Sequence, residues 1–316
     1  MRRSTPPGIV FAILLLLTVC LALLQPAIFL RWGGFETKAL VVPLLQLIMF
    51  IMGTRVSVAD LCQVLVTPRP VAIGLGLQYL IMPFTGAALA AAFGLPADVA
   101  AGVVLVGSVC AGNSSNVMTY FAGGNMALSV SMTTLSTLLA PVSTPTFMWL
   151  LAGRVVPVDF VALSWSIVRI VVVPISAGVL AERLLRNRKA LADRLTTVIV
   201  IAATCLNNAI ITANSRDALL SIGVTLVCVE ILHNFAGYVL GYSGGRLFRL
   251  NTRDSVTMAM QVGIRNGGLA TGLAYDVLKS SNAALASVVY GTVQNASGAL
   301  VSSFLRKRQE RTLENL

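Results

Sequence analysis

Ser115, Asn116, Ser129 and Thr133 are the first residues along this chain whose types and spacing suggest chemistry. They lie in Ser108 to Thr133, a stretch that is otherwise apolar or small. Ser129 and Thr133 are four apart, so a helix puts them on one face. That face is expected to look toward the segment carrying Ser115 and Asn116. Hydroxyl and amide oxygens are hard ligands that suit a monovalent cation such as sodium, and nothing nearby is soft enough for zinc or copper. Singly, each residue serves equally well as a hydrogen-bonding contact between helices. The four together favour an ion site.

Gln261, Arg265 and Asn266 form a second set, within Met258 to Tyr275. An arginine inside a membrane segment costs about 2.5–3.5 kcal/mol, and it does not escape by losing its proton. It needs an anion, carbonyl oxygens or water beside it. Snorkelling to an interface is the alternative, but Arg265 lies near the middle of its segment, which favours a functional role. Glu230 and His233 are one helical turn apart, and a buried pair of this kind can carry protons. The simpler reading makes Glu230 the counter-charge of Arg265 or Arg169 and His233 a hydrogen-bonding core residue. Arg169 has no assignable partner. Gln78 and Asn295 are single amides on apolar stretches that either line a cavity or join helices.

Motifs for catalysis are missing: the chain has no HExxH and no P-loop lysine motif. An enzyme is therefore not expected, and ATP is not the expected driving force. The five cysteines, Cys20, Cys62, Cys110, Cys205 and Cys228, are scattered and form no Cys/His cluster, so no zinc or redox site is expected.

The elements that hold these residues follow from composition. Of 316 residues, 56% are hydrophobic and 11% charged, and apolar runs long enough to cross a bilayer recur from end to end. A polytopic membrane protein is expected, as a single domain over residues 1–316. Its net charge of +11 sits in short loops, as membrane topology requires, and does not point to nucleic acid. Ten spans are expected near residues 8–30, 37–53, 71–93, 98–122, 126–152, 160–182, 195–213, 217–242, 254–278 and 283–304. Met1-Arg2-Arg3 resembles the start of a signal peptide, but the apolar run to Leu30 is long and ends without a cleavage site, so it is expected to stay as the first span. The tail from Gln309 to Leu316 is expected to be disordered.

Basic residues locate the two sides. One side receives Arg2, Arg3, Arg55, Arg69, Arg183, Arg186, Arg188, Lys189, Arg194, Arg246, Arg249, Arg253, Arg306, Lys307, Arg308 and Arg311. The other receives Arg31, Lys38, Arg154, Arg216 and Lys279, with Arg169 and Arg265 inside spans. The bias places both termini in the cytoplasm.

Ten spans divide into two halves of five, about 8–152 and about 160–304. An odd number per half inverts one half against the other. The small polar run Ala111-Gly112-Asn113-Ser114-Ser115-Asn116 interrupts the fourth span, and the stretch around Arg265 interrupts the ninth. Irregular backbone at membrane depth survives only where it is buried in protein or lines a wet cavity. Interrupted helices offer dipole ends and free carbonyls to ions and small anions, so the pair points to a secondary transporter. Gly86, Gly102, Gly107, Gly237, Gly241 and Gly267-Gly268 are placed to let helices approach closely. Pro83, Pro141, Pro145 and Pro174 are placed to kink theirs.

These stretches resemble the bile acid:sodium symporter family. The likeness is close from Gly107 to Gly153, which includes SSNVMTYFAGGNMALSVSMTTLSTLLAPVSTPTFMWLLAG, and returns at LHNFAGYVLGY, QVGIRNGGLATGLA and QNASG. It implies an all-α membrane protein with ten transmembrane helices in two inverted five-helix repeats. It implies a core domain whose fourth and ninth helices are unwound and cross, and a panel domain of the first, second, sixth and seventh. It also implies transport of organic anions by alternating access, in bacteria small carboxylates such as pantoate-like or sterol acids. The expected setting is the bacterial inner membrane, as a monomer in lipid with a small organic carboxylate as substrate and no nucleic-acid partner.

By position, the resemblance puts a first sodium site on Ser115, Asn116, Ser129, Thr133 and Gln261. It puts a second on Gln78, Gln261, Val262, Ile264 and Arg265, and substrate contacts on Asn113, Asn266, Gln294 and Asn295. Two residues depart from the family pattern. A glutamate is usual where this chain has Gln261, and a glutamine where it has Arg265. One carboxylate with two sodium ions carries +1, and so do Gln261 and Arg265 with no ion. Arg265 is therefore expected to stand in for the second sodium, and Na+ at the first site to be weakly held, with no other cofactor. The expected carrier depends little on sodium, being either a facilitator or proton-coupled. A channel and a non-transporting sensor are the remaining alternatives.

Overall fold

A computed structural model of the chain describes residues 7–54, 68–153, 156–185 and 189–314. Arg2, Arg3, Arg55, Cys62, Arg154, Arg186 and Arg188 lie outside the described residues. So do the side chains of Arg183, Lys189, Arg194, Arg308 and Arg311. The protein is mostly helical. Helices α1 (Pro7–Leu24) and α2 (Ala27–Leu30) lead into a two-stranded antiparallel hairpin, β1 (Arg31–Trp32) and β2 (Phe35–Glu36). A single turn of 3-10 helix, Thr37–Leu40, starts α3 (Val41–Gly53). Then come α4 (Pro68–Ala92), α5 (Ala97–Ser108), α6 (Ser114–Phe121), α7 (Met126–Leu151) and α8 (Phe160–Ile167). A π-helical turn, Val168–Val172, joins α8 to α9 (Val173–Leu185). The rest is α10 (Lys189–Asn214), α11 (Arg216–Leu247), α12 (Thr252–Gly263), α13 (Gly267–Asp276) and α14 (Ser281–Glu314).

Several local departures from the sequence reading have plain causes. The first apolar run breaks at Pro26, which has no N–H to offer the carbonyl four residues back. The hairpin that follows is the exception to the all-helical expectation; Glu36 pairs there with Arg31 at 3.2 Å and with Lys38 at 2.7 Å. Pro174 sits just past the π-helical turn, whose looser register absorbs the missing donor. The tail expected to be disordered from Gln309 stays helical to Glu314.

Among the described residues, four helical stretches are long and apolar enough to cross a membrane: Pro68–Ala92, Met126–Leu151, Phe160–Ala181 and Arg216–Leu247. Thr37–Gly53, Ala97–Ser108 and Val198–Asn214 are shorter apolar helices. Two packing groups share the core. Helix α10 packs on α1 and α3, and α3 packs on α9, while α11 packs on α12, α4 on α5, and α14 on α5 and α13. One large apolar cluster links the groups, with Leu45, Ile48, Leu163 and Ile170 meeting Leu269 and Leu273.

Helices approach most closely where side chains are absent. A methyl group on Gly237 of α11 would stand 2.7 Å from the Gly263 Cα of α12 and 2.8 Å from the Met82 sulfur of α4. Gly237→Val is therefore expected to lower the thermal unfolding midpoint in detergent, at a cost of about 1–3 kcal/mol for overpacking. An unchanged midpoint would show that this contact is not tight.

Candidate ion and anion site at the helix crossover

Between α5 and α6 the chain is unwound over residues 109–113, and between α12 and α13 over residues 264–266. The first break falls slightly earlier than the polar run suggested, because Ser115 and Asn116 already belong to the first turn of α6. The two breaks meet as a short antiparallel bridge, Ala111 opposite Arg265. Gly112 N–H donates to the Ile264 carbonyl at 3.2 Å, and Asn266 N–H donates to the Cys110 carbonyl at 2.9 Å. A side chain on Gly112 would place its Cβ 2.6 Å from the Arg265 carbonyl oxygen, so only glycine lets the strands close. Backbone groups that lose their helical partners thus find one another, as burial demands.

Gln294 of α14 completes this pairing. Its Oε1 accepts from Arg265 N–H at 2.8 Å, and its Nε2 donates to the Arg265 carbonyl at 3.0 Å. The side chain acts as one more strand along the bridge. Gly263, the last residue of α12, is held from behind: Asn234 Nδ2 and Tyr290 Oη both donate to its carbonyl at 2.7 Å. Neither role was visible in the sequence, although Asn234 lies in the LHNFAGYVLGY stretch quoted above.

Arg265 is fully buried. Its guanidinium donates to the carbonyls of Gly107 at 2.5 Å and Val109, while Nε is 3.5 Å from the Val106 carbonyl. The Gln78 amide, turned so that its oxygen meets donors, accepts from Nη1 at 3.2 Å and from Ala111 N–H at 3.3 Å. The charge therefore caps the C-terminal end of α5, where unpaired carbonyls and the helix dipole favour a cation. Glu230 is not its partner, contrary to the counter-charge reading. Glu230 faces His233, whose Nε2 is bonded to a core carbonyl as that reading expected. Arg169 likewise finds another acid: its Nη2 is 2.6 Å from both carboxylate oxygens of Asp276, and Ser166 Oγ donates to Oδ2 at 2.5 Å. Asp276 ends α13, so the pair ties that helix to the π-helical turn beside α8.

The second constellation gathers around Gln261, also fully buried. Gln261 Nε2 lies 2.6 Å from Ser129 Oγ, 3.0 Å from the Ser129 carbonyl, 3.0 Å from Asn116 Oδ1 and 3.1 Å from Thr133 Oγ1. Ser129 and Thr133 themselves donate to Asn116 Oδ1 at 2.7 and 3.0 Å. Thr119, which the sequence reading passed over, joins through Ser129 at 3.2 Å. Ser115 Oγ turns to the Gly112 carbonyl at 2.6 Å, away from this cluster. The Ile264 carbonyl is taken by Gly112, and Val262 is buried in the core. Asn113, Asn266 and Asn295 are half-buried, and Asn266 Oδ1 caps α13 through Leu269 N–H at 3.0 Å. Among the described residues no cluster of three His, Cys, Asp or Glu side chains is placed to hold a metal.

Removing the charge should expose its structural role. Arg265→Leu leaves the α5 carbonyls dry, at about 1–3 kcal/mol for each group. Its thermal unfolding midpoint is expected to fall well below that of Arg265→Lys, which keeps a point charge but loses the planar fork. Equal midpoints for both variants and the parent would refute capping of α5 by this side chain.

Two comparisons bear on these residues. The chain matches the description "Sodium Bile acid symporter family" over residues 42–223, which include α6 and α7. It is 38% identical over 265 residues, 84% of this chain and 82% of the other, to the "Uncharacterized sodium-dependent transporter YocS" of Bacillus subtilis (strain 168). It is 27% identical over 305 residues, 96% of this chain and 75% of the other, to the "Probable sodium/metabolite cotransporter BASS1, chloroplastic" of Arabidopsis thaliana. With its apolar helices, this makes it a membrane protein. The broken helices, the small polar residues of α6 and α7 and the extent of these matches agree: the chain belongs to the sodium bile acid symporter family.

Proposed function

We propose that the protein is a secondary carrier of small organic anions that works by alternating access with little or no dependence on sodium. One observation carries the reading. The two places where oxygens gather at the crossover are already filled by N–H donors of the chain itself. Gln261 Nε2 occupies the centre of the Asn116, Ser129 and Thr133 oxygens. The Arg265 guanidinium occupies the α5 carbonyls and Gln78. An N–H donor set in each cage opposes a sodium ion there, because its hydrogen would point at the cation. The charge also matches: a neutral amide replaces a carboxylate with its sodium, and the guanidinium replaces a second sodium. The crossover thus keeps, without ions, the electrostatic state that relatives named as sodium-dependent would reach with ions.

On this reading the helices form ten spans in two inverted repeats, about 8–152 and about 160–304. Helices α1, α3, α8 to α9 and α10 are the panel, and the remainder is the core. Asn113, Asn266 and Asn295 present polar groups to the anion beside the dipole ends of α6 and α13, with Gln294 holding the strand behind them. The protein sits as a monomer in the bacterial inner membrane, with both termini in the cytoplasm.

Ligand binding stabilises by mass action, so a thermal-shift screen of carboxylic acids with and without sodium tests substrate class and coupling together. The expected result is stabilisation by an acid that sodium does not change. The double variant Gln261→Glu with Arg265→Gln should make uptake into proteoliposomes sodium-dependent. A steep, saturable sodium requirement in the unaltered protein would remove this reading.

A further inference from the structure

Glu230 and His233 lie side by side on α11 with no exposure to solvent, and the crossover site uses neither. His233 Nε2 stands 2.9 Å from the Met82 carbonyl of α4. A carbonyl only accepts, so Nε2 carries a hydrogen. Nδ1 then faces Glu230 Oε2 at 3.3 Å. Two lone pairs would repel there, so one proton lies between them, on the carboxyl or on the ring. The pair is neutral overall either way. Glu230 Oε1 has no hydrogen-bond partner among the described residues, although it is buried.

The surroundings leave no room for a second charge. Helix α4 offers the Met82 carbonyl and Gly86, where a methyl group would stand 3.0 Å from the imidazole Cε1. Helix α5 offers Val99 and Val103, packed with Leu226 and Val229 of α11. Helix α12 offers the Gly263 carbonyl, already taken by Asn234 and Tyr290. Helix α14 offers Tyr290, whose ring centroid is 5.4 Å from that of His233. Tyr290 is the titratable group that faces the pair, and through it Tyr238 and Arg265 are in electrostatic reach. Gaining or losing a proton in this packing would leave an uncompensated buried charge.

We propose that Glu230 and His233 form a proton-binding site, sealed in this conformation, that exchanges its proton when α11 parts from α4 and the end of α12. The helices that seal it are the ones that hold the crossover. Met82 is one turn beyond Gln78, which bonds Arg265, and Gly263 directly precedes the α12 break. Motion that opens the crossover therefore brings water to Glu230 Oε1. A proton taken from water on one side and returned to water on the other balances the cycle and supplies a coupling ion where the filled cages oppose sodium. The coupling step rests on the carrier reading above; the proton site itself does not.

His233 is the single histidine of the chain, so 15N-histidine labelling reports on one imidazole. In liposomes, solid-state NMR is expected to show Nε2 protonated throughout, with the Nδ1 resonance moving with pH as conformations that admit water exchange the proton. Glu230→Gln, which keeps the shape but cannot ionise, should flatten that profile. A flat profile in the unaltered protein overturns the proposal, whether or not the variant folds. A titration that Glu230→Gln leaves unchanged overturns it too, since histidine alone would then titrate. The readout needs no transported anion. A flat signal beside intact uptake removes only the proton site, and a titrating signal without uptake removes only the carrier.

Discussion

A guanidinium with no carboxylate beside it among the described residues, sealed among backbone carbonyls, is the constraint that organises this protein. Arg265 cannot discharge, and the lipid around the helices offers it no water. It is tolerated because α5 stops at Ser108 and leaves carbonyls that need a donor. Those carbonyls are tolerated because Arg265 reaches them. Each break in a helix thus supplies what the other lacks. The antiparallel bridge through Ala111 and Gly112 then aligns the two segments closely enough for both debts of hydrogen bonding to be met.

Support for this crossing comes from outside it. Gln294 matches the Arg265 backbone as a strand would, and Asn234 and Tyr290 hold the last carbonyl of α12. Glycines at 107 and 237 bring α5 and α11 against their neighbours with no side chain between. The Gln261 cluster fastens α12 to α6 and α7 through hydrogen bonds alone. Under the function proposed here, an amide nitrogen and a guanidinium do permanently what bound cations do reversibly. The electrostatics of the crossover then no longer follow an ion gradient. The driving force, if any, must enter elsewhere, and the buried Glu230–His233 pair adjoins the same helices.

Arg169 and Asp276 show how a charge resolves at the edge of such a structure. The arginine is half exposed, sits on a π-helical turn and reaches an acid at the wrong end of a helix for its charge. The pair offsets that dipole repulsion and joins α13 to the turn before α9, which packs on α3. Glu230 and Arg265, both fully buried, do not pair with each other: carbonyls and Gln78 meet Arg265, while Glu230 meets His233 through one oxygen only.

Composition and apolar run length determined that the chain is helical and lies in a membrane, since burying twenty-residue apolar runs leaves few other outcomes. Small polar residues in two of those runs marked where helices would break, because Gly, Asn and Ser weaken a helix wherever it falls. The grouping of Ser129, Thr133, Asn116 and Gln261 was legible from spacing and from the family likeness. Only the tertiary structure decided the pairing of the breaks, because partners 150 residues apart leave no local signal. It alone showed that Gln261 gives its nitrogen to Asn116 and Ser129 while its oxygen accepts from Thr133 at 3.2 Å, since an amide carries a donor and an acceptor and the neighbours choose between them. It alone assigned the buried charges: Asp276 to Arg169, His233 to Glu230 and bare carbonyls to Arg265. Backbone oxygens are the same in every sequence, so a cation that they satisfy cannot announce its partners in one.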